Sequence, residues 1–318
     1  MLAVGFALTV GTSLALAQSP MKFVSPEAAL EQGINAYRGG FYQQALPALT
    51  YAAEKGNVRA KFQLAKLLSD NGTPLANHKR AYELYLDIVR EHAANIDVDD
   101  DDRAPYVGKA LTAVARYTYI GLSDHVSANA ALAAQYYQEA ATFFNQPDAK
   151  FELAKLYLKG DGVPKDQRQA QIWLRALSQD GHSGAQAFLA DLLWTGKDIE
   201  MDQKTALALI DVAVLNAPDS DRIWIEDIYQ RIYCGAAQGV RKEAGDLVAS
   251  YRRNYSPRVA SDLAEPKMSG PAPTRTCHNG EALPRPQRES HAPNTNDAPR
   301  GNAAVPPMQG GVVGVRGR

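Results

Sequence analysis

The sequence predicts an all-α protein in which pairs of short helices repeat along the chain as a solenoid. One recurring pattern, A-x-x-x-[LV]-A, is typical of the first helix of a pair and starts at Ala60, Ala110, Ala149 and Ala185. A second pattern, a small residue followed three and four positions later by apolar or aromatic residues, starts at Ala45, Ala81, Ala133, Ala170 and Ala206. Its spacings are 36, 52, 37 and 36 residues. Paired helices that repeat every few dozen residues predict an α-solenoid of helix-turn-helix units.

Capping residues precede the second helices at a constant offset. Four residues before the last four of these alanines stand Asn77, Asn129, Asp166 and Asp202. The side-chain oxygen of Asn or Asp accepts a hydrogen bond from a free N–H of a helix's first turn. The stretch 149–181 shows the complete unit, because Gly160 ends its first helix, Pro164 prevents continuation and Gly181 follows its second helix.

Five helix pairs are predicted in residues 18–217. They are 28–37 with 41–55, 58–68 with 79–91, 106–119 with 128–144, the two helices of 149–181, and 185–194 with 204–215. Residues 218–255, with a helix around Trp224 and a last helix at 240–255, are predicted to cap the solenoid.

The 52-residue spacing reflects an insertion that contains Asp97 and four consecutive aspartates, 99–102. A calcium loop of the EF-hand type that began at Asp97 would need Gly and Glu at its sixth and twelfth positions, where the chain has Asp102 and Gly108. We interpret residues 97–102 as a solvated insertion whose like charges weaken the joint between the second and third pairs.

The two ends of the chain predict export and disorder. Residues 1–17 form an apolar run that ends in Ala15-Leu16-Ala17, which is typical of a cleaved signal peptide. We therefore expect a soluble periplasmic protein without stable membrane insertion. Residues 256–318 contain ten of the 18 prolines and few bulky apolar residues, so they are predicted to be a disordered tail.

No motif for chemistry accompanies the repeats. The chain lacks a phosphate-binding loop, a G-x-S-x-G elbow and an H-E-x-x-H pair, so the sequence predicts no enzyme and no catalytic, cofactor-binding or metal site. A net charge of −1 argues against nucleic-acid binding through bulk charge. Trp173 and Trp194 are predicted to pack in the core. Pairing of Cys234 with Cys277 is left open, because Cys277 lies in the predicted tail.

The repeat L-A-K-L-Y-L-K-G-D-G-V-P-K-D-x-x-x-A-x-x-W-L-x-x-A resembles the Sel-one-like subclass of tetratricopeptide repeats, over residues 28–217. The order of Y-A-A-E-K-G (51–56), A-A-T-F (140–143), F-E-L-A-K-L (151–156) and W-I-E-D (224–227) resembles the ExoR family. Members of that family are periplasmic repressors of exopolysaccharide production in alphaproteobacteria. The resemblance implies binding to the periplasmic domain of a membrane sensor histidine kinase, which keeps that two-component system silent, and removal by a periplasmic protease.

Two other classes of protein use similar repeats. Scaffolds for polysaccharide export or envelope assembly do so and remain an alternative, although they are typically lipid-anchored and no Cys follows Ala17. The cysteine-rich Sel-one-like group, once linked to penicillin hydrolysis, carries a disulfide in each repeat, whereas no cysteine lies in the predicted repeats of this chain.

Overall fold

A computed structural model describes residues 23–255, 275–284 and 286. The predicted signal peptide, 1–17, lies outside the described residues, as does most of the predicted tail. Within the described part, no helix is both long and apolar enough to cross a bilayer.

Thirteen α-helices follow one another in the described residues. They are α1 (Pro26–Arg38), α2 (Tyr42–Glu54), α3 (Val58–Ser69), α4 (His78–His92), α5 (Ala104–Ile120), α6 (Ala130–Thr142), α7 (Pro147–Lys159), α8 (Gln167–Gln179), α9 (Ser183–Thr195), α10 (Gln203–Asn216), α11 (Arg222–Gly235), α12 (Gln238–Glu243) and α13 (Gly245–Asn254). The first ten form the five predicted pairs, and the predicted α-solenoid is confirmed.

The second helices begin where their sequence caps predicted. The side chains of Asn77, Asn129, Asp166 and Asp202 each accept a hydrogen bond from the backbone N–H three residues later, at 2.9–3.0 Å. Gly160 takes the left-handed conformation after α7, with φ of +71°, which is the geometry expected of a helix-ending glycine. Local signals therefore set the helix boundaries.

The helices stack in two layers, the odd-numbered first helices and the even-numbered second helices. From α1 to α11, each helix packs on its neighbours in the chain, and in addition α1 contacts α3, α3 contacts α5, and α9 contacts α11. Because first helices of adjacent pairs approach one another in this way, their layer forms the inner, concave side of the solenoid. The buried faces of both layers form one continuous core along the repeats.

The joint between the second and third pairs is well packed despite the insertion. α4 packs on α5 about as extensively as α2 packs on α3. The ring of Phe62 lies 5.6 Å from that of Tyr85 and 5.9 Å from that of Tyr106, which joins α3, α4 and α5. Aromatic pairs at such distances stabilise a joint beyond simple area burial. The structure therefore corrects the expectation that like charges weaken this joint.

The insertion is itself anchored. Ile96 is buried, and the carboxylate of Asp101 accepts hydrogen bonds from the backbone N–H and the guanidinium of Arg103. That guanidinium holds the pKa of Asp101 at about 2. Asp99, Asp100 and Asp102 are exposed to solvent, as predicted for a solvated insertion.

The C-terminal cap differs from its prediction in two respects. The predicted helix 240–255 is two helices, α12 and α13, which meet at Ala244. Cys277 forms a disulfide with Cys234 of α11 and lies in a described segment, 275–284, that packs on the cap. The prediction of a disordered tail is therefore wrong for residues 275–284. Composition averaged over the whole tail concealed a short apolar anchor, Cys277 and Leu283, both buried.

Candidate interaction surface

No cluster of metal-binding side chains is found in the part of the chain that the structure describes. It contains no group of three or more His, Cys, Asp or Glu side chains that could hold a metal ion. His125 is exposed in the turn after α5. The structure thus directs attention to a surface formed by the repeats.

The tryptophans serve mainly the packing between helices. Trp173 is 4% exposed, which confirms its prediction as a core residue. Trp194 is half-buried, and a β-carbon on Gly235 would lie 2.9 Å from its ring, so it fills the contact between α9 and α11. Trp224 is also half-buried and lies in α11.

One face of the first helices α3, α5, α7 and α9 can be defined from their register alanines, Ala60, Ala110, Ala149 and Ala185. The positions one before, three after and six after this alanine are spaced i, i+4 and i+7, so they share a face. They are Arg59, Gln63 and Lys66 in α3; Lys109, Ala113 and Arg116 in α5; Asp148, Glu152 and Lys155 in α7; and Gly184, Phe188 and Asp191 in α9. We call this face the inner stripe.

Ion pairs between first helices place this stripe on the inner side. Arg59 of α3 lies 3.4 Å from the carboxylate of Glu31 in α1. At the other end, Asp191 of α9 lies 2.6 Å from the guanidinium of Arg231 in α11. These pairs bridge neighbouring first helices directly, without their second helices.

The inner stripe is closed around Gln63, near its amino-terminal end, while the side chain of Arg59 is 34% exposed at the edge of this region. Gln63 is 1% exposed where α3 lies between α1 and α5, and neither polar atom of its amide has a hydrogen-bond partner. The Nε atom of Arg59, one turn earlier, is buried and also lacks a partner. A partner protein cannot reach these atoms unless the helices move apart.

The stripe opens in its centre, between α5, α7 and α9, whose backbones approach one another less closely than those of α3 and α5. Arg116 and Asp148 are exposed, and the side chains of Glu152 and Lys155 are 24% and 27% exposed. Phe188 is half-buried on α9. We call these five residues the central wall.

The charges of the central wall are arranged around a buried tyrosine. The guanidinium of Arg116 interacts electrostatically with the hydroxyl of Tyr137 in α6 and with the carboxylates of Glu152 and Asp148. Burial raises the pKa of Tyr137, and the charge of Glu152 raises it further, so this phenol stays neutral. Lys155 lies 2.7 Å from Glu152, which gives the wall alternating charges.

Aromatic rings and a histidine hold the wall in place. The Nδ1 atom of His182 accepts a hydrogen bond from the N–H of Ala185 at 3.0 Å and so caps α9. Its Nε2–H then donates to Asp148 of α7 at 3.0 Å. The ring of Phe151 lies 5.8 Å from that of Phe188 in an edge-to-face arrangement. The side chains of α7 and α9 are therefore fixed before any partner binds.

An open wall of alternating charge with a partly exposed aromatic ring is suited to protein recognition. Arginine and aromatic residues supply much of the binding energy at protein interfaces, and charges select the partner. No motif in the sequence pointed to a particular binding residue. The register positions beside the repeated alanines are the signal that points to the inner stripe, but they do not distinguish its open centre from its closed end.

Comparison with protein families gives the repeat its name. The Sel1 repeat model matches residues 58–86, 108–142, 147–182 and 183–210, which correspond to the second to fifth helix pairs. The second to fifth helix pairs therefore contain Sel1 repeats, as the repeat motif predicted.

Two curated relatives are similar over most of their length. The exopolysaccharide production negative regulator of Rhizobium leguminosarum bv. viciae is 28% identical over 216 residues, 68% of this chain and 78% of that protein. A protein of the same name from Rhizobium meliloti (strain 1021) is 27% identical over 220 residues, 69% of this chain and 79% of that protein.

Two crystal structures share the fold. A protective antigen of uropathogenic Escherichia coli strains, which displays an SLR fold, has a TM-score of 0.53 and 22% identity over 77% of this chain. The match covers only 51% of the antigen's length. A Sel1 repeat protein from Oxalobacter formigenes has a TM-score of 0.51 and 23% identity, and the match covers 70% of this chain and 85% of that one. At these identities the likeness concerns the fold alone.

Proposed function

We propose that this protein is a negative regulator of exopolysaccharide production that works by binding another protein. The observation that carries the proposal is its similarity to two negative regulators over more than two thirds of the chain. The protein acts by occupancy rather than by catalysis, because a repeat surface holds partners through spread contacts.

The proposed partner is the periplasmic domain of a membrane sensor histidine kinase, held against the central wall. Arg116 is of a residue type that is enriched among interface hot spots, and Phe188 adds an aromatic ring of the kind enriched at interfaces. Asp148 and Glu152 limit the choice of partner by repelling acidic surfaces. Bound in this way, the protein keeps the kinase silent. Removal of the protein by a periplasmic protease then releases the kinase and raises polysaccharide synthesis.

The Cys234–Cys277 disulfide supports a periplasmic location. Disulfides persist in oxidising compartments and are rare in the reducing cytosol. The location is tested by fractionating cells and sequencing the amino terminus of the exported form, which is expected to begin at or near Gln18. Recovery of the protein in the cytosol with Met1–Ala17 intact would contradict it.

A genetic experiment tests the regulatory role. Deletion of the gene is expected to raise exopolysaccharide and to reduce motility, and the wild-type gene is expected to restore both. A gene carrying Arg116→Glu, which reverses a charge of the central wall, is expected not to restore them. The matched control is Arg175→Glu, because Arg175 is an exposed arginine of α8 on the outer layer.

Three results separate the alternatives. Unchanged polysaccharide in the deletion strain would refute repression. Loss of polysaccharide would refute it and favour an export scaffold. Full restoration by Arg116→Glu would leave the regulatory role intact and contradict the central wall as its surface. Immunoblots that show equal amounts of both variants exclude simple misfolding.

A further inference from the structure

Residues 275–284 form a small hairpin on the C-terminal cap. Thr276 and Ala282 are bridged in antiparallel fashion, and the N–H of Cys277 donates to the carbonyl of Glu281 at 2.8 Å. The turn contains Asn279-Gly280, with Gly280 at φ +82°, a common hairpin dipeptide. A single two-stranded hairpin is at best marginally stable in water, so its contacts with the cap decide whether it stays folded.

The hairpin's ion pairs with the cap are partly buried. Arg275 lies 3.3 Å from Glu226 of α11, with side chains 23% and 19% exposed. Arg241 of α12 donates two hydrogen bonds to the carboxylate of Glu281, at 2.9 and 3.3 Å, so these pairs help to hold the hairpin. Only Cys277 and Leu283 of the segment 275–284 are buried, at 7% and 8% exposure. The disulfide is the one covalent link between the described hairpin and the cap.

The hairpin covers one side of α11. The hydroxyl of Tyr229 donates to the carbonyl of Pro284 at 3.0 Å, and the amide of Gln230 donates to the carbonyl of Thr276 at 2.8 Å. Cys234 lies near the end of the same helix and is only half-buried. Cys234 is therefore the more exposed end of the disulfide, because Cys277 is buried.

We propose that the Cys234–Cys277 bond is a site of thiol–disulfide exchange, through which a protein dithiol determines whether the hairpin covers α11. A thiolate of the dithiol attacks the sulfur of Cys234, forms a mixed disulfide and releases Cys277 as a thiolate, which takes up a proton. The second thiol of the dithiol then attacks the sulfur of the first, which is bonded to Cys234 in the mixed disulfide, and Cys234 leaves as a thiol. Two electrons and two protons pass to the cysteines, and the dithiol becomes a disulfide.

Release of the hairpin changes the end of the solenoid. Tyr229 and Gln230 lose their hydrogen-bond partners in the hairpin and become accessible. The same helix carries Arg231, whose ion pair with Asp191 ends the inner stripe. The exchange site therefore lies on the helix that closes the inner layer, although this inference does not depend on the identity of the protein's partner.

The experiment uses the full mature chain with its disulfide formed and reduced thioredoxin as the dithiol protein. Without denaturant, thioredoxin is expected to make both cysteines available to an alkylating reagent, seen by mass spectrometry. Hydrogen exchange is then expected to become at least tenfold faster at the amides of Cys277 and Leu283. The amides of α3 to α8 serve as an internal control and are expected to keep their rates.

A Cys234→Ser/Cys277→Ser variant provides the matched comparison, because it is expected to show fast hairpin exchange without thioredoxin. Alkylation that requires denaturant would overturn the proposal, since the bond would then be a closed structural link. Hairpin amides that stay protected after reduction would also overturn it, since the other contacts would then hold the segment. If the double variant does not fold, the measurement on the wild-type chain decides.

Discussion

The closed and open regions of the inner stripe differ in solvent exposure at the same position of the repeat. In α3 this position is Gln63, which is 1% exposed and has no hydrogen-bond partner for its amide. In α7 it is Glu152, whose side chain is 24% exposed and pairs with Lys155 at 2.7 Å. The helices around Gln63 lie close together, whereas those around Glu152 are further apart. The spacing of first helices, more than residue type, decides which part of the stripe can meet a partner.

The comparison also shows that polar residues on a solenoid's inner face have two different consequences. Where the helices close, a polar side chain costs stability because it loses water without gaining a partner. Where they open, it remains hydrated and is available for binding. Natural variation at one repeat position can therefore act on folding in one unit and on recognition in another.

The largest expected effect concerns the glycines of the turns within pairs. Gly162, between α7 and α8, has φ of +72°, and a β-carbon there would lie 2.3 Å from the carbonyl oxygen of Ala130 in α6. Gly40, between α1 and α2, has φ of +75° and no atom within 4 Å of a β-carbon. Gly162→Ala is expected to lower the free energy of unfolding by about 3 kcal/mol, and Gly40→Ala by about 1 kcal/mol.

Urea denaturation followed by circular dichroism measures both glycine variants. The difference arises because only Gly162 combines a left-handed backbone with close contact to the preceding unit. Equal losses of unfolding free energy in the two variants would contradict this. They would show that the contact between Gly162 and α6 is no tighter than the surroundings of Gly40.

The next effect concerns Gln63 and Glu152. Gln63→Leu is expected to raise the free energy of unfolding by about 1–2 kcal/mol, because it removes an unpartnered buried amide of similar shape. Glu152→Leu, the matched change in the open region, is expected to stay within about 1 kcal/mol of the wild type. Calorimetry of the two variants measures this contrast. Destabilisation by Gln63→Leu would mean that the amide of Gln63 makes hydrogen bonds in solution. Water would then reach the closed end of the stripe.

The smallest effect is expected in the acidic insertion. Changing Asp99, Asp100 and Asp102 together to Asn is expected to leave the thermal midpoint within about 2 °C of the wild type, since these carboxylates are exposed. The aromatic contacts of Phe62 keep the joint closed in either case. Limited proteolysis provides a second readout. A marked gain in thermal stability, or preferential cleavage of the wild type at 97–102, would restore the view of a joint weakened by charge.

Much of this fold could be predicted from local chemistry. Asp166 and Asp202 indicated where second helices begin, and Gly160 where a first helix ends, because caps act within a few residues of the chain. The repeat of small residues predicted the stacking, since only small side chains such as that of Ala149 fit where helices cross. These features depend on neighbours in sequence or on a regular period.

The rest depends on distances that no local pattern encodes. The hairpin around Cys277 was missed because it is held by contacts with α11, more than forty residues earlier, and because its flanks dominate the composition. Asn279-Gly280 was the one local signal for it. Likewise, the sequence places Gln63 and Glu152 at equivalent positions, but it does not show which of them is closed in by neighbouring helices.

The central claim is that the open centre of the inner stripe binds the partner. Its most direct test is calorimetric titration of the purified mature chain with the periplasmic domain of the proposed sensor kinase, using the wild type, Arg116→Glu and the outer-layer control Arg175→Glu. We predict that Arg116→Glu weakens binding at least tenfold, about 1.4 kcal/mol, while Arg175→Glu binds like the wild type. Equal affinity of the three proteins, or no binding by the wild type, would contradict the account.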